Sequence, residues 1–217
     1  MCRVSEHQIA RKALCLQVAA TVVGVLLIKY VSTRKEDPTP DDYLKISPAK
    51  PFQFPDGWAS WAVLGLVTAP FAIVLSATVF SLLPQDLSTG RGTIDGVAGL
   101  VETVDPAIFV NLLFMSGVLA PILEETVFRG FLLTSLTKYL SLPASVFVSS
   151  LIFAACHFSP RDFPQLLALG MVMGFAYARS RNLLTSITIH AVWNSTVVIM
   201  LFLIVNSGVP MSEILGE

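Results

Sequence analysis

The chain has 217 residues, of which 54% are hydrophobic and 13% are charged, and its mean hydropathy is +0.72. Soluble domains carry about 25% charged residues, so this composition excludes an ordinary soluble domain. The formal net charge of −1 gives no electrostatic basis for binding nucleic acid.

Long apolar runs predict a polytopic integral membrane protein. Runs of about 20 apolar residues are typical of membrane-spanning helices. We therefore predict an all-α membrane helix bundle with about seven spans, at roughly residues 13–31, 60–83, 106–120, 121–140, 143–158, 164–179 and 183–205. Pro121 either starts the fourth of these, since proline is favoured at the first helical position, or kinks the helix before it.

Two polar stretches separate the early spans. Ser32–Gly57 is Pro-rich and predicts a solvent loop, and Pro84–Pro106 is a Gly-rich polar loop. The chain is thereby divided into N-terminal membrane spans with two polar loops (1–106), a membrane core (107–205) and a short C-terminal tail (206–217).

The N-terminus and the cysteines have simple interpretations. Arg3, Arg11 and Lys12 precede an apolar run that is longer than the core of a usual signal peptide, which predicts an uncleaved first membrane helix. The three cysteines are irregularly spaced and indicate neither a disulfide framework nor a metal site. We expect them to be small buried hydrophobic residues.

The stretch "EETVFR" places charges among apolar residues, where ionisable groups are costly and usually functional. Glu125 and Arg129 are four residues apart, so they share a helix face and can form an ion pair. Glu124 is rotated by about 100° around the helix axis and stays free to face another group. A solvated cluster at a helix end is the alternative.

Two later apolar segments also carry polar groups. "FAACHF" places His157 at the end of a helix, with Phe153 one turn earlier on the same face. "HAVWNS" places His190 and Asn194 on one face of the last long apolar helix. Taken singly, each polar group is better explained by a hydrogen bond that joins two helices.

Together, these side chains on three helices predict a hydrolytic site. A carboxylate and an imidazole can take the proton from a water, while a second imidazole and an amide can donate hydrogen bonds to a tetrahedral oxygen. Alternatively, Glu and His side chains could hold Zn²⁺, with a water as the remaining ligand.

Signatures of other hydrolases are missing from the sequence. It contains neither H-E-x-x-H nor G-x-S-x-G, and Asp105 and Asp162 lie at segment ends, which does not suit an aspartyl dyad. "GMVMG" (Gly170 to Gly174) is a G-x-x-x-G motif and predicts close helix packing.

The order E-E-x-x-x-R, F-x-x-x-H and H-x-x-x-N resembles the CPBP family of intramembrane proteases, which includes the CAAX prenyl endopeptidases and bacteriocin-processing proteins. The resemblance covers roughly Ala107 to Ile204. It implies an α-helical membrane fold, usually of eight helices, with a polar cavity that opens within the bilayer.

Carried over to the matching positions, the resemblance implies a water activated by Glu124 and His157. It implies an oxyanion hole formed by His190 and Asn194. The supporting residues would be Glu125, Arg129 and Phe153. Family members are described both as metalloproteases and as metal-independent glutamate-type proteases, so a zinc ion at Glu124, His157 and His190 and a metal-free site both stay open.

The predicted function is that of a membrane endopeptidase of the CAAX-protease type, acting within lipid on a protein or a prenylated peptide. The alternative is a non-proteolytic scaffold or regulator of the same fold that binds and stabilises partner proteins, with the acidic loop at Glu36 to Asp42 as a contact. A proton-coupled transporter is a third class, although no inverted repeat supports it. Chloroplast membranes and the endoplasmic reticulum are the expected locations.

Overall fold

The computed structural model describes residues 6–33, 44–53, 55–82 and 106–207. Within these ranges the chain forms no strand and six helices, which are α1 (Glu6–Thr33), α2 (Trp58–Ser81), α3 (Pro106–Leu136), α4 (Leu142–Ala155), α5 (Phe163–Ser180) and α6 (Leu183–Asn206). The all-α prediction is confirmed for these ranges. The acidic loop at 36–42, residues 84–105 of the second predicted loop and residues 208–217 of the tail lie outside them.

Four of these helices are long and apolar enough to cross a membrane, at Ala10–Val31, Trp58–Ser81, Pro106–Leu136 and Leu183–Asn206. They support an integral membrane protein. The apolar helix α4 has only 14 residues, and neither α4 nor α5 is among the four. The predicted count of seven to eight spans is therefore not confirmed by the described residues.

Helix α3 is continuous through Pro121, so the first of the two predicted alternatives, a new helix that starts there, is wrong. Two π-helical segments, Met115–Leu119 and Thr126–Leu133, interrupt its α-helical geometry. In the first, the N–H of Ala120 donates to the carbonyl of Met115, five residues back. Because a π turn shifts the hydrogen-bonding register by one residue, the chain continues past a proline that has no N–H to donate.

Small residues let the helices of the core approach closely. Gly65 of α2 faces Ile189 of α6, where an added Cβ would overlap the isoleucine side chain. Gly170 and Gly174 of α5 similarly face Ser150 and Val146 of α4. The packing role predicted for "GMVMG" is thus confirmed, and close van der Waals packing of this kind holds helices together in lipid.

Residues 44–53 are attached to the start of α6. The Asn182 side chain donates to the Ser47 carbonyl at 2.7 Å and accepts from the Leu184 N–H at 3.2 Å, so it caps α6 as well as binding the loop. The N–H of Leu183 donates to the Lys45 carbonyl at 2.9 Å. This part of the predicted solvent loop therefore fixes the helix end that precedes His190.

The expectation of buried cysteines is wrong for the two that the structure describes. Both are free and exposed, Cys15 on helix α1 and Cys156 directly after the end of α4. Cysteine is apolar enough to face lipid, so an apolar segment around it does not require burial within the protein. Cys2 lies outside the described residues.

Candidate active site

Glu125, Arg129 and His190 form a buried polar cluster between α3 and α6. Arg129 Nη1 lies 2.8 Å from Glu125 Oε1, which confirms the predicted ion pair, and both side chains are almost fully buried. His190 Nδ1 lies 2.8 Å from the same oxygen. Arg129 Nη2 also donates to the Gly170 carbonyl at 3.1 Å. The buried guanidinium is therefore paired and hydrogen-bonded, as a buried charge must be.

Phe153 packs against the charged groups and both imidazoles of the site. Its ring is fully buried, and Arg129 Cζ lies 4.6 Å above the ring centroid. The rings of His157 and His190 meet it edge-on, with centroids 4.6 and 5.8 Å away. These contacts are favourable for an aromatic quadrupole and limit how either imidazole can rotate.

Glu124 faces away from the ion pair and towards the two imidazoles. Its Oε2 atom lies 3.9 Å from His157 Nε2 and 3.8 Å from His190 Nε2. This oxygen is buried and has no hydrogen-bond partner among the described residues. Polar atoms separated by more than about 3.5 Å are commonly bridged by water. The three atoms therefore converge with enough room for one small polar species.

The partners of the two Nδ1 atoms fix where each imidazole carries its proton. His157 Nδ1 lies 2.8 Å from the Phe153 carbonyl, and a carbonyl can only accept. His190 Nδ1 faces the carboxylate of Glu125, which pairs with Arg129. Both Nδ1 atoms are therefore donors. In the neutral imidazoles, both Nε2 lone pairs face Glu124, so the species between them must donate hydrogen bonds or carry positive charge.

Asn194 lies one turn beyond His190 and is held by α3. Its Nδ2 atom donates to the Ser116 carbonyl at 3.0 Å. Asn194 lines a cavity of about 300 Å³ together with both site histidines. The other lining residues include Ser116, Ile73, Phe153, Leu166, Leu169, Trp193, Val197 and Val198. Because these are mostly apolar, the predicted polar character of the cavity is not confirmed.

Two further cavity residues were missed from the sequence. Asp162 and Gln165 line the same cavity at the start of α5. Asp162 accepts a hydrogen bond from the Ser159 hydroxyl at 2.9 Å. Neither residue belongs to a spaced motif, and "SPRDFP" is typical of an ordinary helix connection. Only the packing of α4 and α5 brings these residues to the cavity.

The proposed zinc ligands do not form a metal-binding group in this geometry. Within the described ranges, no three His, Cys, Asp or Glu side chains are arranged to hold a metal ion. Glu124, His157 and His190 carry donor types that zinc accepts. However, tetrahedral ligands at 2.0–2.1 Å from zinc lie only about 3.3 Å apart, closer than the observed 3.8 and 3.9 Å. A zinc site therefore stays a prediction.

Fold and geometry define a helical membrane protein in which two histidines and an asparagine line one cavity and a glutamate faces both histidines. This is the class predicted from the three motifs. Residues 106–196 match the family model described as type II CAAX prenyl endopeptidase, Rce1-like. The matched range contains all three motifs, so the family resemblance is confirmed for this part of the chain.

Two similar proteins from bacteria carry related descriptions. Over 202 residues the chain is 25% identical to "Membrane-embedded CAAX protease MroQ" of Staphylococcus aureus (strain USA300), covering 90% of this chain and 76% of that protein. Over 144 residues it is 26% identical to YdiL of Bacillus subtilis (strain 168), which is named as a candidate membrane peptidase, covering 64% of this chain. The alignment spans 55% of the length of YdiL. No solved structure matches this chain.

Proposed function

We propose that this protein is an integral membrane endopeptidase of the CAAX-protease type, in which Glu124 and His157 activate a water that attacks a peptide bond. The observation that carries the proposal is the convergence of Glu124 Oε2 with the Nε2 atoms of His157 and His190, at 3.9 and 3.8 Å. The family match over residues 106–196 supports the same reaction class.

The acceptor atoms of Glu124 and His157 suit a bound water. A water between Glu124 and His157 donates one hydrogen bond to each and keeps a lone pair for attack on the carbonyl carbon. Glu124 takes the proton as the water attacks, and the same proton then passes to the leaving nitrogen. The His157 Nδ1 bond to the Phe153 carbonyl keeps its Nε2 lone pair directed at the water.

Asn194 and His190 would stabilise the tetrahedral oxygen. Asn194 uses one amide hydrogen on Ser116, which orients the amide and leaves the second hydrogen for the substrate. His190 Nε2 donates only when the ring is an imidazolium, because its Nδ1 proton is directed at Glu125.

The cavity wall indicates the substrate class. Ile73, Leu166 and Trp193 give an apolar surface beside the polar atoms, which suits an apolar side chain next to the scissile bond. We propose a membrane-bound peptide as substrate, and the family description adds prenylation as the first feature to test. The organelle, whether chloroplast membrane or endoplasmic reticulum, stays a prediction.

The deciding experiment is cleavage of a prenylated CAAX peptide by the purified protein in lipid nanodiscs, followed by mass spectrometry of the products. Wild-type protein should release the C-terminal peptide, while Glu124→Gln and His157→Ala should not. Cys156→Ala is the matched control, since Cys156 is exposed and adjacent to His157. Should Glu124→Gln cleave as fast as the wild type, the water-activation proposal fails. Retained cellular function of both variants would instead favour the scaffold alternative.

A further inference from the structure

The two π segments of α3 flank the Glu124–Glu125 pair and bind side chains of other helices. Three such side chains donate hydrogen bonds to α3 carbonyls in the part of the chain that the structure describes. They are Asn194 to Ser116, Thr21 to Leu119 and Ser149 to Phe128. All three carbonyls lie in π segments. A regular α-helix uses its carbonyls internally, so π segments are places where a neighbour can bind the backbone.

The acceptor for Asn194 depends on Pro121. The N–H of Ala120 donates to Met115 rather than to Ser116. An α-helical bond to the Ser116 carbonyl would come from the N–H of Ala120, and a π-helical bond would come from residue 121. Because Ala120 donates elsewhere and Pro121 has no N–H, the Ser116 carbonyl has no donor from its own helix at either position. The Asn194 amide occupies that carbonyl at 3.0 Å. The proline therefore creates the attachment point that holds Asn194.

The acceptor for Ser149 connects α3 to the helix that precedes His157. The Ser149 hydroxyl donates to the Phe128 carbonyl at 2.8 Å, and both groups are buried. Ser149, Phe153 and His157 follow at intervals of four residues, so they lie along one face of α4 and its final turn. The Phe153 carbonyl in turn accepts from His157 Nδ1. One hydroxyl thus sets the axial position of this face relative to Glu124.

We propose that the carbonyls of Ser116 and Phe128 fix the positions of the site residues relative to Glu124. Ser149 positions His157 through the Phe128 carbonyl, and Pro121 positions Asn194 by leaving the Ser116 carbonyl free. The expected effect on turnover rests on the proposed function, whereas the expected effect on the positions of His157 and Asn194 does not. The tolerance is small, because misplacing a reacting group by about 1 Å can cost roughly 100-fold in rate. Ser149 and Pro121 are positioning residues, and neither lines the cavity.

The test of Ser149 has a matched control in its neighbour. Ser149 and Ser150 are both 1% exposed, but the Ser150 hydroxyl donates to Val146 in its own helix. The chain has three histidines, so labelling histidine with ¹³C gives three resolvable NMR signals, assigned by single substitutions. Ser149→Ala should shift the His157 signal, and Ser150→Ala should leave it unchanged. Equal His157 spectra for the two variants would overturn the assignment.

Pro121 is tested against the proline inside α2. Pro121→Ala restores an N–H that competes for the carbonyls at 116 and 117, and it should shift the His190 signal through the neighbouring Asn194. Pro70→Ala changes a helix-interior proline in α2 and should leave that signal in place. Unchanged His190 spectra in Pro121→Ala, with wild-type thermal stability, would refute the role of Pro121.

Kinetics provide the second readout on the prenylated CAAX peptide. Ser149→Ala and Pro121→Ala should each lower kcat by at least about tenfold with little change in KM, as expected for misplaced catalytic groups. Ser150→Ala and Pro70→Ala should stay within about twofold of the wild type. A wild-type protein that cleaves nothing would count against the proposed function alone, because the NMR comparison still decides the positioning roles.

Discussion

His190 and Arg129 bind the same oxygen of Glu125. The Nδ1 atom of the imidazole and the Nη1 atom of the guanidinium each lie 2.8 Å from Oε1. This shared oxygen separates the roles of two adjacent carboxylates. Glu125 joins α3 to α6 inside the protein, while Glu124 faces the Nε2 atoms of His157 and His190.

Removing Glu125 should destabilise the protein more than removing Glu124. Glu125→Ala leaves the buried Arg129 without its partner, and breaking a buried ion pair in this way costs about 3–5 kcal/mol. Glu124 is partly exposed and makes no direct hydrogen bond among the described residues, so Glu124→Ala should cost little stability. Thermal unfolding in one detergent, followed by the fluorescence of the tryptophans, compares the two variants.

The contrast between the variants is the control. Glu124→Ala should fold like the wild type and lose activity, whereas Glu125→Ala should lose stability first. Equal melting temperatures for Glu125→Ala and the wild type would show that the ion pair is not a structural element.

Arg129→Lys should retain only part of the stability that Arg129 contributes. The two terminal nitrogens of Arg129 bind different acceptors, Glu125 Oε1 at 2.8 Å and the Gly170 carbonyl at 3.1 Å. A lysine ammonium lacks the planar fork that reaches both acceptors and stacks on Phe153. We expect the melting temperature of Arg129→Lys to lie between those of Arg129→Ala and the wild type. A lysine variant as stable as the wild type would show that the bond to α5 contributes nothing.

The local part of this cluster was predictable from the sequence, and the long-range part was not. Glu125 and Arg129 pair because four residues make about one helical turn, a rule that requires no tertiary information. The His190 bond to Glu125 joins residues 65 positions apart. The polar groups on three apolar helices and the motif resemblance predicted that these helices meet, but neither predicted the bond between His190 and Glu125.

The course of α3 shows a different reason for failure. A proline within an apolar run predicts a new helix or a kink, because its missing N–H removes one hydrogen bond from the helix. In the structure Asn194 of α6 binds the carbonyl that the proline leaves free, so the helix continues through two π segments. Tertiary contacts decide this outcome. The predicted number of spans exceeds the four found among the described helices because residues 106–136 form one helix and because neither α4 nor α5 is among the helices long and apolar enough to cross a membrane.

Asn194→Ala should lower turnover without changing how substrate binds. Loss of one oxyanion donor reduces kcat by about 100- to 1000-fold in other hydrolases. Asn206→Ala is the matched control. This asparagine lies on the same helix, but it is exposed, and its side chain donates to the Phe202 carbonyl of that helix. Steady-state kinetics on the prenylated CAAX peptide separate kcat from KM. An effect confined to KM would assign Asn194 to substrate binding instead.

Cleavage should survive removal of divalent metal ions. The proposed mechanism uses Glu124 and His157 directly, and the distances of 3.8 and 3.9 Å are wider than those between ligands of one zinc ion. Activity after dialysis against chelator should therefore match that of an undialysed sample, with zinc content checked by mass spectrometry. Activity that falls with chelator and returns with added zinc would contradict the water-only mechanism. If Glu124→Gln, His157→Ala and His190→Ala also lost bound zinc while Asn194→Ala kept it, the metal would be assigned to the three side chains that converge beside the cavity.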